Sequence, residues 1–279
     1  TLQALATDKK GGETYLLKSL IDSSAVDATK AKNLTEKIEN YRALTRATDA
    51  VDSVSQDTNS LTQARGTVQY AGDTMDVSFD SSTREKIVLR NGKVQLSSET
   101  KITQNGETTE SGTWIKDGWL YLYTKDGGVT AKNKVAVDDS MTDADLAEVE
   151  SNQVDKVGLS AIKSISVVKD GLTSYYSVDV DASAAAFLSG ILENYVDEDD
   201  KDLTSIEVSD IKVTYTVNGQ GVLGAMTTSF RLKIVYASGE FQGDPMVMDM
   251  KYTVATNILA TGNAVSITFP DFSDYVILN

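Results

Sequence analysis

Several long runs of the chain alternate apolar and polar residues. Ile211, Val213, Tyr215 and Val217 alternate with Lys212, Thr214 and Thr216; Phe230, Leu232, Ile234 and Tyr236 alternate with Arg231 and Lys233. Met246, Met248, Met250, Tyr252 and Val254 alternate with Asp249, Lys251 and Thr253. Period two predicts antiparallel strands with one buried and one wet face. Between such runs stand dipeptides that supply the positive φ of tight turns: Asn91-Gly92, Asn105-Gly106, Asp117-Gly118 and Asp126-Gly127, then Asp170-Gly171, Asn218-Gly219, Ser238-Gly239 and Gly262-Asn263. Short turns make consecutive strands neighbours, so two meanders are expected. The second has strands near 205–217, 222–237, 246–258 and 263–269, with Pro270 stopping the last.

Helical spacing holds elsewhere. Over residues 11–58, Leu34, Ile38, Tyr41, Leu44, Val51 and Val54 recur mostly at helical intervals, with no Pro or Gly between Glu13 and Arg65. Further helices are expected near 142–153, where Thr142 and Asp145 resemble a capping box, and near 183–196, where Ala184, Phe187, Leu188, Ile191 and Tyr195 form a stripe. Trp119, Tyr121 and Tyr123 alternate with Leu120 and Leu122, which predicts a central strand covered on both faces. The expected fold is α+β: one curved antiparallel sheet, a half-open barrel, with helices covering its concave face. Residues 1–58 form a helical segment on or beside the sheet, and residues 59–279 form a single sheet domain with the two inserted helices. Met75 to Phe79 and Met248 to Tyr252 look alike locally, both running Met-Asp and ending in an aromatic.

Composition narrows the function. With 279 residues and 41% hydrophobic content the chain can bury a sizeable core. A formal net charge of -15 argues against nucleic acid and against electrostatic docking on anionic lipid. There is no cysteine and no histidine, so a disulfide framework, a thiol nucleophile, a Ser-His-Asp triad and a His-ligated metal are excluded. No run approaches the ~18 consecutive apolar residues of a membrane span. The chain opens at Thr1 rather than Met, and a mature or trimmed form is expected, with any export signal or lipid-anchor cysteine preceding it.

Candidate chemistry is sparse. The acidic run Asp197-Glu198-Asp199-Asp200-Lys201-Asp202 has the composition of a calcium loop, but an EF-hand would need Gly at its sixth position and Glu at its twelfth, where Asp202 and Val208 stand. Asp138, Asp139, Asp143 and Asp145 suit a helix N-terminus. A carboxylate pair could serve glycoside hydrolysis, but among 41 acids nothing selects one. No GxxxxGK loop occurs. No catalytic residue, metal site or cofactor is therefore expected. The best candidate lining for an apolar ligand is the Met-rich strand (Met246, Met248, Met250) facing Phe187, Leu188, Ile191 and Tyr195, since Met adapts to varied apolar partners. The same residues would serve equally as strand-on-helix core.

The second half resembles a group of Gram-positive surface lipoproteins. The resemblance rests on Thr173 to Val180, the helix through Phe187 and Leu188, Ile211 to Asn218 with Gly221, and the ending Val265 to Tyr275. Those proteins look like the lipoprotein-carrier superfamily of LolA, LppX and LprG. The likeness covers roughly residues 60–275, and its motifs are patterns of strand, turn and helix. It implies a half-open barrel whose helices plug the concave side, with space for acyl chains between them.

The expectation is a non-enzymatic, extracytoplasmic, cell-surface lipoprotein that binds a lipid or other apolar molecule between sheet and helices. The alternative is an interaction module whose outer face or acidic loops hold another envelope protein or polymer.

Overall fold

The computed structural model describes residues 28–52, 54–90, 93–104, 106–137, 159–181, 203–236 and 245–278. Helix α1 (Ala28–Asp52) leads into six strands that run up and down as β1 (Gln56–Tyr70), β2 (Asp73–Arg90), β3 (Lys93–Gln104), β4 (Glu107–Lys116), β5 (Trp119–Asp126) and β6 (Val129–Ala136). A 3-10 turn at Leu159–Ala161 opens the second series: β7 (Ile162–Asp170), β8 (Thr173–Val180), β9 (Leu203–Val217), β10 (Leu223–Tyr236) and β11 (Met246–Thr261). Another 3-10 turn, Gly262–Ala264, releases the chain into an extended tail, which ends in the two-residue strand β12 (Val276–Ile277).

The twelve strands among the described residues form one open, curved sheet in the order β12-β6-β5-β4-β3-β2-β1-β11-β10-β9-β8-β7. Each meander is sequential, as the turn dipeptides require. The two are joined by β1 and β11, which pair antiparallel along nearly their whole length, from Gln56 opposite Thr261 to Gln69 opposite Val247. Strand β12 alone runs parallel, Val276 opposite Asn133 on β6.

The apolar face is built on α1 and the second meander. Ile38, Leu44, Ala47 and Val51 of the helix are buried, and α1 packs against β7, β9 and β10. Beneath it lie Val178 and Val180 of β8, Ile211 to Val217 at alternate positions of β9, and Phe230, Leu232 and Ile234 of β10. On β9 the alternation breaks. A register shift opposite Phe230 coincides with Asp210 at φ 55, a bulge that turns both Val208 and Ile211 toward the core.

Several expectations need correction. One α-helix lies over the sheet among the described residues, rather than several covering the concave face. The helices expected near 142–153 and 183–196 lie outside the described residues. The helical segment expected over residues 11–58 ends at Asp52, and β1 begins at Gln56, where Thr58, Ser60 and Thr62 share one face at strand period. No sheet strand spans 263–269; the tail is extended but unladdered until Val276. The hairpin joining β1 to β2 turns on Ala71 and Gly72, both at positive φ, with no Asn or Asp at either position. Strand β5 is third from an edge, and its cover on the aromatic side comes from the tail.

Candidate functional site

Cross-strand register sorts the inner face into rows. Phe79, Ala64, Tyr252 and Phe230 stand in one row across β2, β1, β11 and β10. Val77, Gly66, Met250 and Leu232 form the next, and Met75, Val68, Met248 and Ile234 the third. The local likeness of the two Met segments thus becomes spatial, because both flank β1 at matching height. Phe230 and Tyr252 stack at 5.1 Å with their planes 7° apart. Gly66 is required here: a Cβ would collide with the Asp249 carbonyl oxygen and approach the Met250 Sδ to 2.8 Å.

The three methionines singled out from the sequence do share this face. Met250 is a core residue at 3% exposure, Met248 packs partly buried against the core, and Met246 is half-buried opposite Tyr236. Their expected partners Phe187, Leu188, Ile191 and Tyr195 lie outside the described residues, as do the acidic runs at 138–145 and 197–202.

Further along the same strands the face changes character. Ser60, Thr62, Thr83, Glu85, Ser98, Val254 and Thr256 line a recess of about 310 Å³. The Ser60 and Thr256 hydroxyls share a 2.9 Å hydrogen bond, as do those of Thr83 and Thr100. Glu85 is 6% exposed, and the Thr58 hydroxyl is buried without a hydrogen-bond partner among the described residues. Sequence reasoning missed this hydroxyl patch, although Thr58, Ser60 and Thr62 at period two were its visible signal. A second hollow, of about 590 Å³, lies between α1 and β7 beside Leu34, Lys37, Lys163 and Ile165. Lys37 donates to the Ile162 carbonyl, and burial lowers its pKa.

The outer face carries the tail. Phe272 stacks on Tyr121 at 3.7 Å, Tyr275 meets Trp114 and Tyr121 edge-on, and Phe269 lies 6.1 Å from Phe272. Lys132 binds Asp274 at 2.6 Å and Lys86 donates to the Ser266 carbonyl at 3.3 Å, tying both ends of the strap to the sheet. That hydrogen bond to Asp274 raises the Lys132 pKa, and burial raises that of Tyr275. Beside the strap a groove of about 360 Å³ runs past Asn59, Arg84, Glu99, Lys101, Glu110 and Tyr123.

Among the described residues no cluster of three or more acidic side chains could hold a metal ion. Among the described residues, the carboxylates with clearly displaced pKa values are displaced downward. Hydrogen bonds from Arg65 act on Asp80, from Arg231 on Asp249, and from Ser273 on Asp271. Groups held ionised in this way are suited to ion pairing rather than to proton donation.

No protein-family model matches the chain, and no curated protein matches it. Among solved structures it is aligned with a DUF1329 family protein from Desulfovibrio piger, at 11% identity over 85% of this chain and 96% of that one, with a TM-score of 0.23. The ywiB protein from Bacillus subtilis aligns at 9% identity over 74% of this chain and 94% of that one, with a TM-score of 0.18. At such scores neither likeness bears on fold or function.

Proposed function

We propose that this protein is a non-enzymatic binding protein for an amphiphile, whose acyl chain lies on the apolar rows of the inner sheet face. The observation that carries the reading is the division of that one face. Met75, Val77, Phe79, Val68 and Met248, exposed or half-buried, form an apolar field over the buried Met250 and Tyr252, and the hydroxyl-lined recess adjoins it along the same strands. A chain on the field gains about 0.8 kcal/mol per buried methylene, with no catalytic group needed. Hydroxyls at the recess offer donors and acceptors to a polar head. The proposal includes place: an extracytoplasmic lipoprotein, anchored at the cell surface, as the resemblance of the second half to surface lipoproteins implies.

Native mass spectrometry of the purified protein, followed by organic extraction, tests this. A releasable acyl species is expected, and Met248→Asp should lose it while keeping the circular dichroism of the parent. A clean apo mass with no thermal shift on adding palmitate or phosphatidylglycerol vesicles overturns it.

A further inference from the structure

We propose that the groove on the outer face, beside the C-terminal strap, binds a neutral oligosaccharide lying across the strands. This is independent of the amphiphile reading, because it uses the opposite face of the sheet. Register places Asn59, Arg84, Glu99, Gly112 and Tyr123 in one row over five adjacent strands, β1 to β5. Ser82, Lys101 and Glu110 form the row alongside. Five strands at about 4.8 Å spacing span about 19 Å, the length of a short oligosaccharide rather than of one sugar ring.

The chemistry of the rows selects the ligand. Arg84 and Lys101 are balanced by Glu99 and Glu110, so the groove is locally neutral in a chain of net charge -15. A polyanion would meet two carboxylates and the field of the whole molecule, and a cation would meet Arg84 and Lys101. A neutral ligand rich in hydroxyls can use both signs, since each hydroxyl donates to a carboxylate or accepts from a guanidinium or ammonium group. Glu99, Lys101 and Glu110 form no ion pair among the described residues, and Arg84 is steadied at 2.7 Å by Asp57. Tyr123, with Trp114 behind it, supplies the aromatic wall that apolar C–H faces of a pyranose require. Between Glu99 and Tyr123 the floor of the groove is the Trp114 ring, which Gly112 admits by having no side chain. A Cβ there would strike the Trp114 ring that lies across it.

Titration calorimetry of the whole chain with cellohexaose, maltohexaose and chitohexaose tests the assignment. At least one should bind saturably below millimolar concentration, and more tightly than glucose. Tyr123→Ala and, separately, Glu99→Gln should each weaken that binding at least tenfold while the circular dichroism stays as in the parent. Glu99 is exposed, so its variant remains informative if Tyr123→Ala fails to fold. Absence of binding by all three hexaoses overturns the proposal, as does affinity unchanged in Glu99→Gln or tighter binding of polygalacturonate.

Discussion

At the scale of single residues, two positions concentrate the packing. Gly66 leaves room for the Met250 side chain over the β1–β11 seam. Gly66→Ala is expected to cost about 1–3 kcal/mol, the usual range for overpacking, read from the urea midpoint. Trp114 is 5% exposed, and its indole N–H is buried without an acceptor among the described residues. An unsatisfied buried donor costs about 1–3 kcal/mol, so removing it offsets part of the lost ring area. Trp114→Phe should therefore cost only about 1 kcal/mol, well short of the ~3–5 kcal/mol of Trp114→Ala. Equal losses for the two variants would contradict this account. The methionine face was legible because Met246, Met248 and Met250 keep strict parity. The change of parity at Asp210 was not, because a bulge is a backbone event that neighbouring side chains do not announce.

At the scale of elements, the tail behaves as a strap held by rings rather than by a ladder. Phe272 contacts Trp114, Tyr121, Phe269 and Tyr275. Phe272→Ala should loosen the strap, and Trp fluorescence in a Trp119→Phe background should shift red as Trp114 meets water; an unchanged spectrum would show the strap held without it. Strands β10 and β11 are bridged by Arg231, whose Nε donates to Asp249 at 2.7 Å. A carboxylate held below its unfolded value contributes stability above that value and loses it as pH falls through the folded one. Stability should thus decline below the ordinary 3.8 of aspartate, and Asp249→Asn should flatten part of that acid limb in urea titrations at successive pH. Both partners are on the outer face, so added salt should shrink the difference. Most strands of both meanders were legible, since turn dipeptides fix adjacency locally. The strand expected near 263–269 is not formed: Phe269 and Phe272 pack ring on ring, and the segment joins no ladder there.

At the scale of the molecule, the seam between β1 and β11 makes one sheet of two meanders. It was not legible: the partners lie far apart in sequence, and no turn specifies which pair of edges meets. The topology puts β1 and β11 at the centre and β12 and β7 at the ends. Hydrogen exchange should therefore be slowest at Ala64 to Val68 and Met248 to Tyr252, and fastest at β12 and the outer edge of β7. Protection at β7 equal to that of β1 would refute a single cooperative sheet centred on the seam.

The seam also has a temporal meaning. On a ribosome β1 is the earliest of the described strands to emerge, but the partner for its second edge follows only after the chain from Tyr70 to Met246. At about 5–20 residues per second that is roughly 10–35 s. During that interval the future centre of the sheet is an open edge with Val68 and Ala64 on its apolar side, the kind of edge that invites pairing with other chains. Biosynthesis of this protein therefore selects for a holding factor, or for export before folding, more strongly than its finished stability would suggest.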